Sequence, residues 1–415
     1  MAEASMITVA ISGAKTFDQM PVVGLRVHEA LSRPYRIEVD LITKGLADPG
    51  AIDLDQALQQ EYGVVLSRDG TDYPFHGVVA VAEHQGETQD QRQRYRLELV
   101  PQLWFCSLAR KTQVWTDTDI PTVIKDVLKA AQVDAEVKTS GAYPKLPHVT
   151  QHEETDLDFI SRLMEHEGMA YWFVHKKDSH KMVIGDSANA HPAASAGIKV
   201  QFDLNQGGQG GKDAGAVTAF GRRHLVVTKE VLVRDYDAQH PTTPANAKQT
   251  VKGKGVIGTA EEADYHTLAE AGEATRYAKL RGEEHASHRV QYVGESGVPA
   301  LRAGGAMNLK GSDAYEGDYL LLEATHEWRG AGGGAALPYR NRFKALHRDQ
   351  LPWRPARITP IPRIPGLISA KVKATAGHQD DKSLDGAYRI NMLHEAKAKA
   401  RIIRLAQHYA GPAQG

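Results

Sequence analysis

The residues with the clearest chemical potential open the stretch QHEETDLDFISRLMEHEGMAYWF, residues 151–173, where His152-Glu153 reads like the start of a zinc-hydrolase helix. That chemistry needs a second histidine four positions after the first, so that two imidazoles share one helix face and the glutamate between them serves as general base. Here that position is Asp156, and no third ligand stands nearby in the sequence. A metal-dependent hydrolase using His152, Glu153 and a distant histidine is therefore one reading. The competing reading is structural and accounts for more residues. Thr155 is an N-cap with Asp158 at the capping-box position, and Glu153, Glu154 and Asp156 crowd the positive end of the helix dipole. Leu157, Ile160, Leu163 and Met164 fall on one face, and Gly168 ends the helix in a left-handed conformation. Tyr171, Trp172 and Phe173 then begin a β-hairpin completed by MVIGDS.

Other motifs carry less. GKGVIG (Gly253 to Gly258) has dinucleotide-binding spacing, but neither a hydrophobic strand before it nor a βαβ unit after it. GESGV places Gly297 one position too early for a nucleophile elbow, which leaves Ser296 as a turn residue. His266, His285 and His288 lie on one charged helix, where dipole contact and solvent exposure explain them. The 19 histidines are otherwise scattered rather than clustered.

The bulk properties narrow the classes. A chain of 415 residues is too long for one ordinary core. Lys plus Arg (50) against Asp plus Glu (51) leaves no net field for gripping nucleic acid or acidic lipid. No apolar run approaches the roughly 20 residues that span a bilayer, so no stable membrane insertion is expected. The N-terminal MAEASMITVAISGAKTF carries Glu3 and no long apolar core, which argues against a secretory signal. A single cysteine, Cys106, excludes an internal disulfide and every multi-cysteine zinc site.

Two β-rich regions flank a mixed one. Residues 1–105 read as short strands: Tyr35 to Leu41 and Tyr95 to Val100 alternate with period two, an Asp69-Gly70 turn joins two more, and a short helix fits Asp53 to Gln60. Residues 106–200 hold helices near 119–131, with Val123, Ile124, Val127 and Leu128 as its stripe, and near 155–167, followed by the hairpin at 169–187. Residues 203–215 are Gly-rich and read as a mobile loop, and strands resume over 216–345 with a helical insertion near 264–286. From Pro338 the composition turns basic and Pro-rich, and residues 346–368 read as an extended polyproline strap. Tyr339, Phe343, Trp353, Pro355, Pro362 and Pro365 are its candidate anchors at an interface; stacking of its rings on nucleic-acid bases is the rival role. Residues 369–415 begin a further β domain, too short for a core of its own.

QHEETDLDFISRLMEHEGMAYWF with HKKDSHKMVIGDS, YRLELVPQLWFCSLARKTQVW, VLVRDYD, HRVQYVGESGVPALRAGGAMNL and YRNRFKALHRDQLPWRPARITPIPRIPGL together resemble, in order, the valine-glycine repeat (VgrG) spike family of type VI secretion, related to the baseplate hub of contractile phage tails. The resemblance implies a mainly β fold with α insertions (α+β): two hub β-barrel domains, the mixed α/β segment between them, and the start of an OB-fold collar over 369–415. It implies a homotrimer whose six barrels face a hexameric inner tube, contacts with baseplate proteins, and a tip protein or effector cargo carried by a C-terminal part beyond residue 415. It implies no catalytic residue, no cofactor, no metal and no nucleic-acid partner, and assembly in the cytoplasm followed by export through the contractile apparatus without a cleaved signal. The hub of a contractile phage tail or of an extracellular injection particle is the alternative, alongside the hydrolase and a monomeric glycan- or nucleic-acid-binding module. Metal analysis of the purified protein separates the hydrolase from the rest: no stoichiometric zinc is expected, and one zinc per chain would overturn the structural reading of residues 151–173.

Overall fold

Alternation decides the first unit. In the computed structural model Tyr35, Ile37, Val39 and Leu41 are buried while Arg36, Glu38 and Asp40 face out, and Tyr95, Leu97 and Leu99 repeat the pattern on the partner strand. The structure describes residues 7–48, 50, 52–203, 216–235, 245–263, 271–330, 337–364, 366–372, 387–392 and 401–404. The first unit contains β1 (Ile7–Gly13), β2 (Val22–Ala30), β3 (Arg36–Ile42), β4 (Glu61–Arg68), β5 (Thr71–Glu87) and β6 (Gln93–Val100), arranged antiparallel in the order β1-β4-β5-β6-β3-β2. Asp69 and Gly70, both at positive φ, make the tight β4–β5 turn. The helix expected over Asp53 to Gln60 is one 3-10 turn, Asp55–Ala57.

The mixed segment follows with β7 (Arg110–Thr118), α1 (Ile120–Ala130), β8 (Ala135–Lys138), β9 (Leu146–Thr155), α2 (Asp156–Glu167), β10 (Ala170–His175) and β11 (His180–Gly185). Asp119 caps α1 by accepting from the Thr122 N–H, and its apolar face joins the core that Phe159 and Ile160 of α2 share with the first unit.

The last unit holds β12 (Ile198–Phe202), β13 (Ala216–His224), β14 (Val227–Asp235), β15 (Ala245–Thr250), β16 (Val256–Ala263), α3 (Ala271–Arg289), β17 (Val290–Ser296), β18 (Ala306–Lys310), β19 (Gly317–Arg329) and β20 (Leu337–His347). Six of these strands close a barrel, β19-β18-β12-β13-β17-β20 and back to β19. Its interior contains Val217, Phe220, Leu301, Met307, Leu309, Tyr319 and Phe343. β14, β15 and β16 form a separate sheet, covered by α3 through Ala274, Tyr277, Ala278 and Leu280. A small sheet of β21 (Ala370–Val372), β22 (Ala387–Met392) and β23 (Arg401–Arg404) follows the strap.

One strand welds the two units. β19 pairs along one edge with β20, while its other edge pairs with β18 over Gly317–Leu320 and with β2 over Glu323–Arg329. The fold is thus mainly β with α insertions and a closed six-stranded barrel.

Three expectations change in detail. The helical insertion runs from Ala271 to Arg289, and residues 264–270, like the Gly-rich stretch 204–215, lie outside the described residues. The basic Pro-rich stretch begins as strand, not strap: Pro338 sits at the start of β20, where a missing N–H is tolerated, and Tyr339, Asn341, Phe343 and Ala345 alternate inward. GKGVIG leads into edge strand β16.

The hairpin β10–β11 is clamped by close backbone approaches. At Gly304, with φ of +82°, a Cβ would lie 2.7 Å from the Trp172 Cβ and closer still to the indole ring. Gly304→Ala therefore combines overpacking with an unfavourable backbone region, and is expected to cost about 1–3 kcal/mol in urea unfolding. Gly221→Ala, which meets nothing within 4 Å, should change stability far less. Equal effects at the two sites would refute this account of the clamp.

Candidate functional site: the strap anchor and a buried histidine relay

The stretch singled out first is a strand followed by a capped helix. His152 and the exposed Glu153 lie in β9, and the helix begins only at Asp156, so no helix face carries two ligands. Both Asp156 oxygens are occupied, one by the Gln151 side-chain amide at 2.8 Å and one by Lys111. Glu154, expected at the helix dipole, also belongs to β9 and grips Arg162 at 2.6 and 2.8 Å. Thr155 caps α2 by accepting from the Asp158 N–H at 3.0 Å, and its hydroxyl donates to the Asp158 carboxylate at 2.7 Å. Ile160 and Leu163 are buried and Leu157 half-buried. Phe159, which the expected stripe left out, is buried and stacked on Trp115. Gly168 takes φ of +68° as the helix stop. Beyond it the strand alternates: Tyr171 and Phe173 enter the first unit's core, while Trp172 enters a second core with Leu320, Leu322, Leu346 and Trp353.

The candidate anchors divide. Tyr339 and Phe343 are wall residues of β20 packed inside the chain, and Trp353 and Pro355 are buried at the strap's root. Pro362 is half-buried farther along, and Pro365 lies outside the described residues.

The residues that fasten the strap are ones sequence reasoning missed. Arg354 donates to the Gly168 carbonyl at 2.9 Å and the Asp186 carbonyl at 2.6 Å, and pairs with Glu283 of α3. His288, expected to be solvent-exposed, is half-buried and donates to the Arg354 carbonyl at 3.0 Å. Glu165, in the last turn of α2, accepts from the Ile358 and Thr359 N–H groups and the Thr359 hydroxyl at 2.9–3.0 Å. Arg281 of α3 reaches the Glu165 and His166 carbonyls, and Arg357 pairs with Glu262 and Glu284. Glu167 meets Arg276 and the Tyr277 hydroxyl at 2.6 Å, and despite burial its contacts with His166 and Arg276 hold its carboxyl at about 2. The signal available in sequence was charge in the wrong place: acids in the last turn of a helix oppose its dipole and need cations from elsewhere.

A second polar constellation lies where β2, β5, the hairpin and β19 meet. The fixed donors determine its protonation. The Gln102 N–H donates to His180 Nε2 at 3.0 Å, so a neutral His180 carries its proton on Nδ1 and donates to His76 Nδ1 at 3.0 Å. The His76 backbone N–H donates to His175 Nδ1 at 3.1 Å, which leaves His175 Nε2–H to donate to Glu29 at 3.0 Å. Asn341 donates to the Tyr339 hydroxyl, which in turn donates to His326 Nδ1 at 2.7 Å and leaves its Nε2–H facing Glu29 at 3.8 Å. Burial would raise the Glu29 carboxyl, but the two imidazoles and the nearby Arg302 hold it well below the usual range. Arg302 covers the Phe75 ring at 3.9 Å. Burial pushes all four histidines down, His180 to about 3. Ser296, by contrast, only brackets a turn: its hydroxyl donates to Asn341 and accepts from the Val298 N–H.

Among the described residues no cluster of three or more His, Cys, Asp or Glu is arranged to hold a metal ion, and no helix is long and apolar enough to cross a membrane. The family model described as the phage tail baseplate hub (GPD) matches residues 28–332, more than two thirds of the chain. The chain belongs to that baseplate hub family. Among curated members of similar sequence, it is 28% identical over 384 residues to the type VI secretion system spike protein VgrG5 of Pseudomonas aeruginosa, covering 86% of this chain and 46% of that protein. It is 24% identical to the actin cross-linking toxin VgrG1 of Vibrio cholerae over 82% of this chain but only 32% of that one. The chain spans about half the length of the curated spike proteins it matches. Among solved structures, the E. coli c3393 protein, described as a type VI secretion component similar to the T4 tail proteins gp27 and gp5, aligns with a TM-score of 0.68. That alignment covers 95% of this chain and 93% of that one at 19% identity, a likeness of fold.

In this hub the histidine relay makes stability depend on pH. Each of these histidines ordinarily titrates near 6.5 and is depressed on folding, so below that value the unfolded chain binds protons the folded one refuses. Stability is full above pH 6.5 and falls with decreasing pH. The fully buried His175 and His326 both act in this direction. Urea midpoints should decline between pH 7 and pH 5, and His175→Gln should flatten the decline; midpoints independent of pH over that range would refute the tautomer assignment.

Proposed function

We propose that this chain is the hub of the spike in a contractile injection machine of the type VI secretion kind. In this reading it is a homotrimeric adaptor between a hexameric inner tube, baseplate proteins and the puncturing tip, delivering effectors across membranes. The observation that carries the reading is the baseplate-hub match across both β units, made by a chain whose sequence is similar to type VI spike proteins. Residues 1–105 and 216–345 are the two hub barrels, 106–200 the mixed segment between them, 346–368 the strap and 369–415 part of the collar. The residues around the capped helix, Thr155 to Phe173, act structurally by joining the barrels. Sheath contraction supplies the energy, so the chain needs no active site and no cofactor. Assembly takes place in the cytoplasm, and export follows through the apparatus itself. The toxin name of the Vibrio cholerae relative belongs to a protein more than twice the length matched, and carries no activity to this chain. The family description itself favours one second reading, the hub of a contractile phage tail.

Purified chain mixed with hexameric inner-tube rings of the bacterium that encodes it is expected to form a complex of three chains per ring, visible by size exclusion with light scattering and by electron microscopy. Absence of any complex at micromolar concentrations would overturn the adaptor reading.

A further inference from the structure

The segments at one end of the second barrel gather charge of a single sign. β13 ends in Arg222, Arg223 and His224, Lys229 lies in the first turn of β14, β15 runs out into Lys252 and Lys254, and α3 ends at Arg289. Backbone bonds tie these segments together: the Leu225 N–H donates to the Arg289 carbonyl at 2.8 Å, the Val227 N–H to the Gly255 carbonyl at 3.1 Å, and the Val251 N–H to the Lys229 carbonyl at 2.8 Å. Arg289 also donates to the Lys254 carbonyl at 3.3 Å, and its guanidinium carbon would lie 2.7 Å from a Cβ on Gly253. Residues 216–229, 249–258 and 285–294 contain no aspartate or glutamate. Arg222, Arg223, Lys229, Lys252 and Lys254 are exposed, and neither they nor Arg289 have a carboxylate partner among the described residues. The neighbouring outer face of the same barrel interleaves signs instead, Glu295 with Arg342 at 2.8 Å, Glu323 with Lys344 at 2.6 Å and Glu327 with Arg340 at 2.9 Å.

Like charges held together repel one another, and a partner of opposite sign relieves them. Two aliphatic side chains stand among these cations. Val226 and Ile257 are each 71% exposed. Ile257 pairs with Thr228, two residues beyond Val226, so both lie on one side of the β14–β16 pair. We propose that this end of the barrel, with Arg222, Arg223, Lys229, Lys252, Lys254 and Arg289 around Val226 and Ile257, docks an acidic surface of a partner protein. An apolar centre inside a polar rim is the anatomy of a protein interface, and the excess of cations selects carboxylates opposite them. The aliphatic pair disfavours nucleic acid, whose phosphate backbone offers it no apolar counterpart. Phe220 and Tyr292, the aromatic residues of these segments, stack on each other at 5.5 Å, so neither ring is free to stack on a base or to anchor at a lipid headgroup. A flat anionic bilayer would also press against the exposed Glu261, farther along β16 on the side of Ile257. A protein of limited footprint avoids that contact.

The test puts a photoreactive benzoylphenylalanine in place of Val226, or of Ile257, in the chain expressed by the bacterium that encodes it, with the exposed Leu108 as the control position. Expected is a crosslink from both positions, and not from the control, to a segment of another protein rich in aspartate and glutamate. Arg222→Glu, Arg223→Glu and Lys254→Glu together should lower its yield about tenfold or more, and changing the acids of that segment to lysine should restore it. The three changed side chains are exposed, so circular dichroism and the urea midpoint of the variant should match the wild type. A crosslink to phospholipid or nucleic acid, or to a protein segment without acids, would overturn the proposal. So would a crosslink that charge reversal leaves unchanged or the lysine swap fails to restore, or none above the control. The adaptor reading keeps its own test in the complex with tube rings, which none of these outcomes decides.

Discussion

The last turn of α2 carries what a helix end tolerates least, two buried carboxylates added to unpaired carbonyls at the negative pole of the dipole. Alone, Glu165 and Glu167 would make this end unstable. The remedy comes from segments more than a hundred residues away: Arg276, Tyr277 and Arg281 from α3, and Arg354 with the Ile358 and Thr359 N–H groups from the strap. Satisfying one helix end thereby fixes the position of two other elements. α3 turns Ala274, Tyr277, Ala278 and Leu280 to the sheet of β14–β16 and reaches α2 with Arg276 and Arg281, so it bridges the two. An ion-pair junction of this kind adds modest net stability but penalises any arrangement that leaves one partner alone, so it specifies geometry.

The hydrophobic framework meets the same junction from the other side. β19 contributes to the closed barrel through β18 and β20, and to the first unit through β2, so neither unit can shift without breaking a ladder. The hairpin fills the space between, with Tyr171 and Phe173 in one core and Trp172 in the other. Gly304 gives the indole room, and Gly63 does the same for the Lys177 carbonyl at the hairpin tip. Trp353 joins the second core from the strap, so the strap's root is held by packing as well as by charge.

What could be read from sequence was local. The alternation of Tyr35 to Leu41, the Asp69-Gly70 turn, the Thr155 cap and the Gly168 stop are each specified by neighbours within a few residues, and each lies where its pattern places it. What could not be read depends on distant partners. Nothing near Glu165 announces Thr359, and nothing near His76 announces His180, because those pairings exist only after the sheets close. The zinc motif failed for a related reason: its spacing assumes a helix, and a bulged strand places His152 and Asp156 on different elements. Pro338 is compatible with both polyproline geometry and the start of a strand, and only the pairing of its strand with β19 decides.

The two polar interiors solve burial in opposite ways. Around α2's end Glu167 pairs with Arg276 and Glu283 with Arg354, and donors from both the strap and α3 share the carbonyls between them. Around Glu29 a single negative charge faces neutral imidazoles, each with its proton placed by a fixed backbone or side-chain donor. Arginine keeps its charge throughout, whereas the imidazoles of the second arrangement can titrate. The charged solution sits where a peripheral strap leaves the body, and the neutral one where β2, β5, β10, β11 and β19 converge. That division follows from desolvation: an ion pair at the rim keeps part of its hydration, while at the centre a chain of neutral hydrogen bonds avoids burying four further charges beside Glu29 and Arg302. The histidines therefore carry proton positions rather than charge, and the geometry of the junction between the two units depends on their staying neutral.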